Sequence, residues 1–91
     1  MSRPRIPRRV RFRPRVTYFK PRGVPLRSIE EVQLRADELE ALKLYHVDNL
    51  DQTASALEMG ISQPTFARLI NQATKKLVSA ILRGRAVSFE S

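Results

Sequence analysis

One glycine constrains this chain more than any other residue. Counting from Gly60, Ala56 lies four residues before it, Phe66 six after and Leu69 nine after. A tight pair of helices needs residues of these types at these places. Ala56 is small enough for two helices to cross closely, and Gly60 accepts the positive φ that reverses the chain. Phe66 and Leu69, three apart, share the face that fills the core below the crossing. Ser62 is suited to N-cap the second helix, and Pro64 fits its first turn. The stretch 51–76 therefore reads as a helix-turn-helix, and double-stranded DNA is the expected partner. An ordinary helical hairpin would carry the same apolar pattern.

The flanking pattern extends the reading. Leu39, Leu42 and Tyr45 or His46 share a face, which predicts a first helix over about residues 36–47 with Asp37 and Glu38 near its start. Asp51 caps a second helix reaching about Glu58, and the third runs from Gln63 to about Leu82. Phe66, Leu69, Ile70, Ala73, Leu77, Ala80 and Ile81 form the third helix's apolar stripe. A helix-turn-helix unit cannot bury Leu77, Val78, Ile81 and Leu82 as well, so these are expected to meet the N-terminal strands or a second subunit. Gly84 suits the position after the last helical turn, and Ala86-Val87-Ser88-Phe89 reads as a strand whose partner is Val10-Arg11-Phe12 or Thr17-Tyr18-Phe19. Residues 28–34 stay open: Ser28-Ile29-Glu30-Glu31 has the form of a capping box, while Val32-Gln33-Leu34 suits an extended segment.

The N-terminal region is of another kind. Five of the six prolines lie within residues 1–25, which rules out a continuous helix there. Residues 1–29 hold nine Arg, one Lys and no acid, a charge of +10, whereas the remaining 62 residues sum to −2. The excess charge thus sits in an Arg/Pro-rich arm that would attract a polyanion by counterion release. The expected organisation is a basic arm over 1–27, a helical domain over 28–84 and a short strand over 85–91. The fold class is mainly α, with short N- and C-terminal β-strands.

If the third helix enters a major groove, its exposed early face carries the base-reading candidates Gln63, Pro64, Ala67, Arg68 and Asn71. Gln and Asn pair bidentately with adenine and Arg with guanine, while Pro64 and Ala67 offer apolar contact. Ser62, Thr65, Gln72, Lys75 and Lys76, together with Arg3, Arg5, Arg8, Arg9, Arg11 and Arg13 of the arm, are the phosphate candidates. The expected function is sequence-preferring DNA binding in transcriptional regulation. A non-specific architectural protein and an RNA- or ribosome-associated basic protein are the alternatives.

Other classes find little in the sequence. There is no cysteine and one histidine, His46, so neither metal nor cofactor is expected, and an enzyme is not expected. No apolar run has the length of a membrane span, and no apolar segment follows the Arg-rich start. A cytoplasmic, nucleoid-associated protein is expected, and a small core favours a homodimer.

Val16-Thr17-Tyr18-Phe19-Lys20-Pro21-Arg22-Gly23-Val24-Pro25-Leu26, then Asp37 to Leu44, Met59-Gly60-Ile61-Ser62 and Thr65-Phe66, resemble a family of small uncharacterised prokaryotic proteins. The resemblance covers nearly the whole chain. It implies a helix-turn-helix similar to the fourth conserved region of sigma-70 factors, DNA binding, and contact with RNA polymerase as a further possibility. The chain departs from the family pattern at Arg35, where Thr is usual and would cap the first helix. It departs again at Gln63-Pro64, where Arg then Gln are usual, and at Arg11, where some members have cysteine.

Overall fold

A computed structural model describes residues 8–90. Three helices and a three-stranded sheet are built on one long element, α3 (Gln63–Leu82). α3 packs on α1 (Ala36–Leu42), α2 (Gln52–Met59), β2 (Glu31–Leu34) and β3 (Ala86–Phe89). The architecture is mainly helical, with the sheet at one end.

The helix ends follow from local chemistry. The Asp51 carboxylate accepts the Ala54 amide at 2.7 Å, and the Ser62 hydroxyl accepts that of Thr65 at 3.2 Å, so both α2 and α3 start on side-chain caps. Gly60 ends α2 with φ +69°, its amide directed to the carbonyls of Ala56 and Leu57. α1 continues as one wider π turn over Lys43–Val47, where the Asp48 amide reaches back to the Lys43 carbonyl at 2.8 Å. The turn ends at Asn49, with φ +59°.

The start of α1 departs from what the missing threonine suggests. Arg35 offers no side-chain acceptor, yet the helix begins at Ala36. Two carboxylates supply the cap: Glu38, in the helix's own first turn, accepts the Arg35 amide at 2.9 Å, and Glu90, from the other end of the chain, accepts that of Ala36 at 2.8 Å.

In the sheet, β3 is central, antiparallel to β1 (Tyr18–Phe19) and parallel to β2. Of the two segments offered as partners for the C-terminal strand, Tyr18 and Phe19 pair with it, opposite Ser88 and Val87. Val10 to Phe12 do not: the Arg11 and Phe12 amides go to a side chain instead. Residues 31–34 resolve as a strand, in register from Glu31 opposite Ala86 to Leu34 opposite Phe89. Ser28 closes a single 3-10 turn, Leu26–Ser28, by donating to the Pro25 carbonyl.

Two apolar clusters result. Phe66, at 0 % exposure, centres the first with Ala41, Leu44, Ala56, Met59, Leu69 and Ile70. Leu34, Leu39, Ala80 and Val87 form the second, with Phe12 and Leu77 packed against it. Leu77 thus meets the sheet. Val78, Ile81 and Leu82 stay exposed on α3's last turns, and Ile81 lines a shallow pocket with the exposed Phe19. No helix of the described residues is long and apolar enough to cross a membrane.

Candidate nucleic-acid interface

The apolar stripe of α3 determines what its opposite face presents. With Phe66, Leu69, Ile70 and Ala73 buried, helical geometry turns Pro64, Arg68, Asn71 and Lys75 outward, and all four are exposed. Gln63 and Gln72 are exposed beside them, while Thr65 and Ala67 are half-buried at the margin. This face is held without being saturated. The Gln63 side-chain amide donates to Gln52 at 2.6 Å, joining the first turns of α2 and α3, and Arg68 lies 3.5 Å from the Thr65 hydroxyl. Ser62 and Thr65 are hydrogen-bonded to each other at 2.8 Å.

The turn residues sit as their spacing predicts. Ala56 and Phe66 are buried at the crossing, and Leu69 lies below it. Gly60 has a second reason to be glycine: a Cβ there would stand 3.3 Å from the Arg9 guanidinium, besides the strain of the left-handed φ.

The two neighbouring lysines diverge. Lys75 is exposed, but Lys76 turns inward, its ammonium 2.9 Å from Glu38 and 3.2 Å from the Gln33 carbonyl. A residue step of 100° separates solvent from the interior here. Lys76 thereby links α3 to α1 and β2 and is already engaged by a buried carboxylate.

Spacing and periodicity do not single out a buried acidic group on α1. Asp37, Glu38 and Glu40 are only 4 %, 0 % and 4 % exposed. Burial of this degree requires partners. Asp37 takes Arg8 and Arg35, Glu38 takes Lys76 and Arg35, and Glu40 accepts the backbone amides of Arg11 and Phe12 at 2.8 and 2.7 Å. The available signal was compositional, since the arm's ten cations have no acid among themselves and these are among the first acids after them.

The arm is therefore docked from residue 8 onward. Arg8, Arg9, Leu57, Gly60, Ile61, Ser62 and Thr65 line one cleft at the start of α3. Arg9 and Arg13 are exposed; Arg11 is 68 % exposed and makes a loose 3.4 Å pair with Glu58. Arg3 and Arg5 lie outside the described residues.

The remaining titratable groups stand apart from this face. His46 is exposed, edge-on to Tyr45 and 3.4 Å from the Thr74 hydroxyl. Desolvation, then the nearby Glu31, pushes the Tyr18 phenol above its ordinary value. The hydrogen bond to Asp48 raises Lys43. Both therefore hold their usual protonation at neutral pH, and both lie away from the outward face of α3.

Fold and surface together define a small, mainly helical domain with a basic arm strapped across its helical turn. The chain belongs to the family described as Protein of unknown function DUF134, whose model matches residues 1–91. It is 50 % identical over 90 residues to a UPF0251 protein of Moorella thermoacetica, covering 99 % of this chain and 60 % of that one. It is 48 % identical over 90 residues to a UPF0251 protein of Desulforudis audaxviator, covering 99 % and 59 %. For a UPF0251 protein of Halothermothrix orenii the figures are 42 %, 99 % and 67 %. The chain spans about three fifths of the length of the first two relatives. No solved structure matches it.

Proposed function

We propose that this chain binds double-stranded DNA with sequence preference, as a helix-turn-helix module of a transcriptional regulator and not as an enzyme. In this reading α2, the Gly60 turn and α3 form the motif, similar to the fourth region of sigma-70 factors, and α3 enters the major groove. The observation that carries it is the outward face of α3, where Pro64, Arg68, Asn71 and Lys75 project opposite the buried stripe. Gln63, Arg68 and Asn71 would read base edges, with Pro64 and Ala67 in apolar contact. Ser62, Thr65, Gln72 and Lys75 would hold phosphates. Lys76 is left out of that set because Glu38 engages it.

The exposed Val78, Ile81 and Leu82 at the far end of α3 support a homodimer. Two copies joined there would present two reading helices to successive half-sites. RNA polymerase remains a second protein partner consistent with the sigma-like reading.

Arg68→Ala is the test of base reading. On a duplex recovered by selection from a random library, the variant is expected to lose about 1–3 kcal/mol of binding and to relax base choice at one position. Fluorescence anisotropy with the recovered and substituted duplexes reads both effects. Parent-like affinity for every duplex would remove Arg68 from the reading face.

A further inference from the structure

Resting on the DNA-binding reading, we propose that residues 8–13 are a preset extension of the DNA-contacting surface. Glu40 positions them so that Arg9, Arg11 and Arg13 meet the phosphates beside the segment read by α3.

The first support is the alternation along this stretch. Arg8, Val10 and Phe12 are half-buried, whereas Arg9, Arg11 and Arg13 are exposed. The alternation sets the three arginines on the solvent side of the stretch and Arg8, Val10 and Phe12 on the side facing the domain. A free tail would have no such sidedness.

The second support is the set of ties that fix its course. Oε1 of Glu40 accepts both the Arg11 and Phe12 amides, and Phe12 packs against the second apolar cluster. The Arg9 amide donates to the Met59 carbonyl at 3.0 Å, and its guanidinium donates to Leu57 at 2.9 Å. Both acceptors lie in the last turn of α2, where the helix dipole favours a cation. Arg8 is held by Asp37. The stretch is thereby anchored on α1 and α2, next to the turn that precedes α3.

The partner is a polyphosphate backbone. The outward side chains are guanidiniums, and Arg11's exposed pair with Glu58 is weak enough to exchange for phosphate. A surface ordered beforehand binds without the cost of ordering it at the moment of contact. Glu40 touches no DNA in this arrangement and acts only as a positioning residue.

The test uses the full chain, a short random-sequence duplex, and two variants that differ in one acceptor. Glu40→Met removes the oxygen that holds the two amides, while Glu40→Gln keeps one. In Glu40→Met the Arg11 and Phe12 amides should lose hydrogen-exchange protection while those of α3 keep theirs, and the duplex should bind about tenfold more weakly. Glu40→Gln should restore binding to within about twofold of the parent. A charge-matched pair of triple variants reads the contacts directly and leaves the core intact. Changing Arg9, Arg11 and Arg13 to Gln should flatten the salt dependence by ~0.9 per lost phosphate contact, whereas changing Arg15, Arg22 and Arg27 to Gln should flatten it less. Equal flattening by the two triples, or parent-like binding by Glu40→Met with freed amides, overturns the inference while leaving DNA binding intact. Failure of the parent to bind any duplex overturns the DNA reading itself, and this inference with it.

Discussion

Phe66→Ala is expected to cost about 3–5 kcal/mol of folding stability, the range for emptying a fully buried aromatic site. Phe66 is completely buried at the centre of the cluster that joins α1, α2 and α3, and the Tyr45 ring stands 6.3 Å away. Domains of this kind hold only about 5–15 kcal/mol in total, so a substantial unfolded population is expected. Urea denaturation followed by far-ultraviolet circular dichroism measures the loss. A cost below about 1 kcal/mol would mean that α2 and α3 do not meet over this side chain.

Lys76→Ala is expected to cost about 2–3 kcal/mol, unlike the same change one residue earlier. Removing Lys76 leaves the Glu38 carboxylate fully buried with Arg35 as its remaining cation, at 3.7 Å. Breaking such a pair from one side is costlier than the pair's own contribution, because a charge stays behind in a poor solvent. Arg35 and the partial exposure of Lys76 keep the cost near the lower end. Adding Glu38→Gln to Lys76→Ala should recover part of the loss, since the stranded charge is then gone. Lys75→Ala, at an exposed position, should stay within about 0.5 kcal/mol of the parent in stability and flatten the salt dependence of duplex binding. The reverse pattern would place Lys76, and not Lys75, at the phosphates.

The contrast between these two lysines shows where the sequence was legible and where it was not. Local spacing was enough for the helices. Ser62 and Asp51 marked two starts, Gly60 and Gly84 stood just past two ends, and the period of the apolar stripe placed α3 over Gln63–Leu82. The outward face of α3 followed as the complement of that stripe. Lys75 and Lys76 look alike in a sequence; what separates them is Glu38, 38 residues away. β2 was ambiguous for a related reason. Glu31–Leu34 is short, and the strand that decides its state is a parallel neighbour from the other end of the chain. The docking of the arm was legible only in part: its unpaired cations pointed to the acids that follow, but the backbone amides of Arg11 and Phe12 that meet Glu40 are announced by no residue type.

On the proposed DNA-binding reading, these features would divide the labour within the domain. The helical body is nearly neutral and presents one patterned face, while the arm carries the excess of cations and, from residue 8 onward, lies against that body. Attraction to DNA would come chiefly from the arm, and choice among sequences from α3.

The central claim is that this face selects sequence, and one measurement reaches it directly. The affinity of the parent protein for a duplex recovered by library selection is compared with that for random duplexes across a range of salt concentrations. A ratio of roughly 10³ at physiological salt, persisting as salt rises and non-specific binding fades, is the predicted result. A ratio near one at every salt concentration would contradict it and leave a basic protein that holds nucleic acid by charge alone.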